Sequence, residues 1–214
     1  MMGKYKFIIL ICSFLILLIL FSQKKIQFIL GGAFIDLGYL LQDGLSKYDF
    51  KHEEEITPDH ILHEIQTQNK MASEIREKFP RHSYHPLAAL VICMDSRLDT
   101  NEIIGDTRKY YYIIRTAGSV IREKEEEMLE LAVDNGVKLI LFTTHTNCAA
   151  EAIASNPEKR KEFPFIANAV ESREIEIQRF LKRTKIAQKI AEGKLSVKRA
   201  ILETETEKMT ILEN

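Results

Sequence analysis

The stretch ALVICMDSR, Ala89 to Arg97, begins as an unbroken apolar run and ends in a thiol, a carboxylate and a guanidinium. With the residues before it, the run reads PLAALVIC, a short continuous apolar segment that suits a strand covered on both faces, as in a parallel sheet. Two further runs have the same character. YYYIIR, Tyr110 to Arg115, leads into the small-residue turn TAGS, and VKLILFTT spans Val137 to Thr144. Between them, EKEEEMLELAVDNG sets Met128, Leu131 and Ala132 at helical spacing, with Gly136 placed as a carboxyl cap. Glu123, Glu125, Glu126 and Glu127 complement the helix dipole and read as a solvated helix start.

Strand, helix, strand in this order implies right-handed crossovers. The expected fold is α/β, with a mainly parallel central sheet flanked by helices. Upstream, Thr57 or Asp59 caps a helix through HILHEIQTQNKMASEIREKF, where Ile61, Ile65, Met71 and Ile75 form an apolar face for the core or for a partner chain. Downstream, EIEIQRFLKRTKI reads as one amphipathic helix containing Phe180 and Leu181, and Leu195 to Ala200 alternate as a strand requires.

The amino terminus has a different character. Phe7 to Gln23 carries no charge over seventeen residues, with Lys4 and Lys6 before it and Lys24 and Lys25 after it. That length is at the lower end for a spanning helix, and no small-residue cleavage pattern follows, so an uncleaved transmembrane anchor is expected over residues 1–25. The apolar stretch Ile26 to Leu41 contains Asp36, Gly31, Gly32 and Gly38 and reads as a membrane-proximal segment; with its polar linker it fills 26–55. The amine at the chain start tips the orientation, placing the remaining 56–214 outside the cytoplasm.

With 30 basic against 31 acidic residues, the chain lacks the basic excess of a nucleic-acid surface. Three cysteines, Cys12 among them in the apolar run, are too few for a disulfide-built scaffold. Cys93 and Cys148 remain, either as a disulfide or as something else.

Cys93 closes the first predicted strand, and HTNC, His145 to Cys148, follows the third. Parallel strands bring their carboxyl ends to one edge, where ligands collect. Two thiolates and an imidazole make a three-donor set suited to zinc with one position left over. Asp95 either fills that position or accepts a hydrogen bond from a bound hydroxide. A bidentate pair with Arg97 would hold the carboxylate off the metal and keep it ionised.

These residues resemble the β-class carbonic anhydrases, whose signature joins C-x-D-x-R to H-x-x-C across an R-N-A-G turn. Here the corresponding segments are CMDSR, HTNC and RTAGS, with Gly105 and Asp106 also in a familiar place; the similarity runs from about Ile56 to Leu212. The resemblance implies zinc held by Cys93, His145 and Cys148, with Asp95 and Arg97 as the catalytic dyad and Asp95 a fourth ligand in a closed state. The reaction it implies is attack of zinc-bound hydroxide on carbon dioxide, giving bicarbonate and a proton, in a homodimer or higher homo-oligomer. Thr116, Ser119 and Ala149 depart from the family pattern, and an alanine at position 149 is costly if that position needs positive φ. His82 and His85 lie upstream as candidate proton shuttles but read more simply as loop histidines. Two alternatives stay open: a zinc hydrolase of a carbon dioxide analogue such as carbonyl sulfide or carbon disulfide, and a non-catalytic zinc-stabilised module in which Asp95 closes the metal site.

Overall fold

The structure, a computed structural model, describes residues 23–43, 57–80, 85–107 and 110–213. The chain divides into two compact units, Met1–Pro80 and Arg81–Asn214. The first unit contributes two described helices, α1 (Lys24–Asp43) and α2 (Pro58–Lys78). The expected apolar positions Ile65, Met71 and Ile75 of α2 are exposed, as are Leu62 and Phe79.

Among the described residues no helix is long and apolar enough to cross a membrane. This corrects the expected membrane-anchored placement with an extracytoplasmic domain. The physical reason in the described part is visible in α1, where Asp36 interrupts the apolar sequence, Gly31, Gly32 and Gly38 dilute it, and Lys24, Lys25 and Asp43 bound it. The charge-free segment from Phe7 onward lies outside the described residues, apart from Gln23.

The second unit is built on a five-stranded sheet ordered β2-β1-β3-β4-β5. Its strands are β1 (Ala88–Cys93), β2 (Tyr111–Thr116), β3 (Leu139–His145), β4 (Ser196–Leu202) and β5 (Met209–Leu212). The first four run parallel and β5 returns antiparallel to β4. Strand β1 lies between β2 and β3, and its alternate residues enter two separate cores. Ala89 and Val91 join Ile140, Phe142, Ile177 and Phe180 on one face, while Leu90 and Ile92 join Leu98 and Leu202 on the other. Burial on both faces is why this strand reads as continuous apolar sequence.

Connecting the strands are α3 (Thr100–Ile104), a 3₁₀ turn (Ala117–Ser119), α4 (Glu123–Asp134), α5 (Ala149–Ser155), α6 (Pro157–Glu162), α7 (Pro164–Leu181) and α8 (Thr184–Ala191). Two expectations need correction here. The single helix expected across Glu174 to Ile186 is broken at Lys182–Arg183, where Arg183 adopts extended ψ of 131°. The buried face of α4 is Glu126, Leu129, Ala132 and Val133, whereas Met128 and Leu131 are exposed.

Glu126 is therefore not part of a solvated helix start. It is 1% exposed and accepts from Arg179 Nη2 at 2.7 Å, with Arg183 Nη1 at 3.5 Å. Glu176 on α7 receives Arg122 Nη1 at 2.6 Å and Arg179 Nη2 at 2.7 Å. A buried carboxylate needs such partners, because desolvating it unpaired would cost several kcal/mol, on the order given for a buried ion. The network ties α4 to α7 and the segment leading into α8.

Candidate metal centre

Three parallel strands deliver their last residues to the same edge: Cys93 from β1, Thr116 from β2 and His145 from β3. Cys148 follows three residues after His145, at the start of α5. The Cys93 Sγ, Cys148 Sγ and a ring nitrogen of His145 lie within 4.8 Å of one another, and all three residues are buried. Both cysteines are free, with their sulfurs 4.0 Å apart, so they are not joined as a disulfide.

The two sulfurs share one proton, and backbone N–H groups beside each of them favour the charged form. The Cys93 thiol is lowered from 9.0 to about 5, chiefly by the hydrogen bond from Cys148 and against the effect of burial, with the Asp95 backbone N–H, the neighbouring His145 ring and the Gly118 backbone N–H also contributing. Cys148 is pushed up by holding that shared proton and by burial, against N–H donation from Glu151 and Ala150. Gly118 can serve because it adopts φ 62°, ψ 19°; a Cβ there would lie 2.9 Å from Val170 Cγ2 and 3.3 Å from Ala150 Cβ.

His145 completes the set. Its Nδ1 lies 3.0 Å from the Thr204 hydroxyl, whereas its Nε2 is buried with no hydrogen-bond partner. A buried ring nitrogen without a partner beside two paired sulfurs fits a divalent cation of zinc's ligand preference, which takes imidazole and thiolate donors together. The cation would take the place of the proton that the two sulfurs share.

Asp95 is not one of the converging donors. Arg97 binds it at both oxygens, Nε to Oδ1 at 3.0 Å and Nη2 to Oδ2 at 2.7 Å, and the Arg97 backbone N–H adds 3.0 Å to Oδ1. That clamp lowers the carboxyl from 3.8 to about 2. Arg97 Nη2 also donates to Asn147 O at 2.9 Å, joining the Asp95–Arg97 pair to the turn between His145 and Cys148. Asn147 holds that turn at φ 57°, a left-handed conformation asparagine tolerates better than most residues.

Sequence reasoning gave no role to Arg115, the charged residue inside the apolar YYYIIR run. Its guanidinium donates to Cys93 O at 3.3 Å, to Asp95 O at 3.4 Å and to Leu98 O, fixing the loop that carries Cys93, Asp95 and Arg97. The only signal was a charge where a buried strand should have none. Thr204 left no signal in the polar sequence ETETEK.

The family departures also resolve differently from expectation. Ala149 opens α5 and is not among the positive-φ residues, so it carries no conformational cost; Ser119 does, at φ 57°. His85 donates from Nε2 to Asn135 O, at the carboxyl end of α4, while β1 carries Cys93 at its far end. It is a structural latch. His82 lies outside the described residues.

A family model described as carbonic anhydrase matches residues 88–211. The chain belongs to the carbonic anhydrase family. Solved structures agree on the fold. The β-carbonic anhydrase CcaA aligns with TM-score 0.58 at 19% identity over 72% of this chain and 95% of its own. One of two tetrameric β-carbonic anhydrases from Sordaria macrospora aligns at 0.56, 16% identity, 73% and 98%. The Streptococcus mutans carbonic anhydrase aligns at 0.53, 18% identity, 70% and 97%. No curated protein matches the chain in sequence.

Proposed function

We propose that this carbonic anhydrase hydrates carbon dioxide at the Cys93–His145–Cys148 centre, with Asp95 and Arg97 as its catalytic pair. The observation that carries the assignment is the bidentate Asp95–Arg97 clamp on the same loop as Cys93, one of three buried donors that converge. Zinc bound there would lower the pKa of a coordinated water to about 7 and so supply a nucleophile near neutral pH.

The chain's own residues do the remaining work. Cys93 and Cys148 supply two negative charges, which offset the cation and reduce its acidifying power, so an ionised acceptor beside the centre is needed. Asp95 fills that role. Arg97 keeps it charged and directed, using both carboxylate oxygens, and so opposes its movement into the metal's fourth position. This arrangement supports the catalytic reading over the alternative in which Asp95 closes the site. Arg115 holds the loop in register by its three carbonyl contacts.

The proposed catalytic domain is 56–214, and we infer a homo-oligomer. The tetrameric state of the Sordaria macrospora enzymes supports this, as does β2, an outer strand whose second edge is unpaired among the described residues. Stopped-flow hydration of carbon dioxide by the full chain tests the function. Asp95→Asn should keep its zinc and lose about two to four orders of magnitude in kcat/KM, the usual contribution of a positioned proton acceptor. Unchanged activity in Asp95→Asn would remove Asp95 from the mechanism.

A further inference from the structure

We propose that Thr204 is a positioning residue that holds His145 with its proton on Nδ1, leaving Nε2 bare for a cation; the proposal rests on the zinc reading given above. Thr204 sits in the turn between β4 and β5. A threonine hydroxyl has one proton to give and two lone pairs to accept with.

Thr204 is buried, and its hydroxyl donates that proton to the backbone carbonyl of Thr146. Toward the His145 Nδ1, 3.0 Å away, the same oxygen is therefore left only to accept. The Thr146 hydroxyl donates to it at 3.3 Å and accepts from the Thr204 backbone N–H at 3.0 Å. Every proton in the ring of contacts has an assigned direction, and reversing the Thr204–His145 bond would strip the Thr146 carbonyl of this donor.

The consequence falls on Nε2, which is buried and has no other partner. With the proton on Nδ1, Nε2 presents a lone pair toward the two sulfurs. With the proton on Nε2 instead, the ring would donate to a thiolate, and the metal-free centre would be held in a form that resists the cation. Thr204 excludes that form. The contact also couples the β3–α5 turn to the β4–β5 turn, so the ring orientation is set from outside the ligand motif. Partners of this kind typically alter metal affinity by about 10- to 100-fold when removed.

The experiment uses the full chain. Long-range proton–nitrogen NMR correlation of the imidazoles, on metal-free and zinc-loaded protein, reports the His145 tautomer directly; zinc affinity comes from competition with a chromophoric chelator. Wild type should carry the His145 proton on Nδ1 in both states. Thr204→Val should weaken zinc about 10- to 100-fold, while Thr204→Ser, which restores the hydroxyl, stays within about threefold of wild type. Thr146→Val keeps the carbonyl that directs the Thr204 proton and should also stay within about threefold, well short of the loss expected in Thr204→Val. A proton on Nε2 in metal-free wild type, or zinc affinity unmoved in Thr204→Val, would overturn the assignment. The wild-type spectrum needs no variant to fold. A protein with the Nδ1 proton that binds no zinc would retain the tautomer assignment and refute the proposed function instead.

Discussion

Arg97 grips Asp95 through two separate nitrogens, Nε on Oδ1 at 3.0 Å and Nη2 on Oδ2 at 2.7 Å, and the same Nη2 reaches Asn147 O at 2.9 Å. One guanidinium thus joins the loop after β1 to the turn after β3, the two segments that follow Cys93 and His145. A lysine has no fork with which to make these bonds together. Arg97→Lys should therefore lower kcat/KM for carbon dioxide hydration by about 10-fold or more, on the scale of a lost charge-assisted bond. Stopped-flow assays on protein of verified zinc content check this, and wild-type kinetics in Arg97→Lys would show that the fork is dispensable.

The clamp also makes a pH prediction whose sign is fixed. The folded Asp95 carboxyl lies at about 2, below its ordinary 3.8, so its contribution to stability is complete above the ordinary value. That contribution is lost as pH falls through this interval toward the folded value. Arg97 is half exposed, which keeps the effect modest. Carboxyl carbon NMR should follow Asp95 titrating near its folded value in wild type and moving up toward the ordinary one in Arg97→Ala. An Asp95 titration unaffected by Arg97→Ala would show that another group holds it ionised.

Gly118 is predicted to be intolerant of any side chain. Its left-handed backbone is unfavourable for alanine by about 1–2 kcal/mol. The added Cβ would also meet Val170 Cγ2 at 2.9 Å. Gly118→Ala should cost roughly 2–4 kcal/mol of unfolding free energy, the sum of strain and overpacking. It should also weaken zinc binding, since the Gly118 N–H donates to Cys93. Denaturant unfolding and chelator competition measure both, and a variant as stable as wild type would contradict the packing argument.

The neighbouring residue predicts a change of opposite sign. Ser119 holds φ 57° and buries a hydroxyl without a hydrogen-bond partner. Glycine relieves both burdens, so Ser119→Gly should stabilise the fold by about 1 kcal/mol and raise the denaturation midpoint. A lowered midpoint would mean that the hydroxyl has a function these contacts do not reveal.

The convergence of Cys93, His145 and Cys148 and the Asp95–Arg97 pair were legible in sequence because each is local: a strand that ends in Cys93, a turn that holds His145 and Cys148, and a parallel topology that aligns the ends. Glu126 was misread because a carboxylate in an acidic run looks solvated, and its partners Arg179 and Arg183 lie 53 and 57 residues away. That error also shifted the buried face of α4 onto Met128 and Leu131. The break between α7 and α8 carries neither proline nor glycine, so nothing local announced it. Ala149 and Ser119 show that a substitution's cost depends on a dihedral angle the sequence does not display. The expected anchor relied on a charge-free run, and the described helix that follows it is too interrupted by charge to span a membrane.

The most direct test is a stopped-flow measurement of carbon dioxide hydration by the full chain, as purified, after zinc removal by a chelator, and after reloading. A single zinc ion per chain is expected, with hydration that disappears with the metal and returns with it, and neither outcome in Cys148→Ser. Hydration that persists undiminished without zinc, or a fully zinc-loaded wild type that leaves carbon dioxide untouched, would contradict the proposed function.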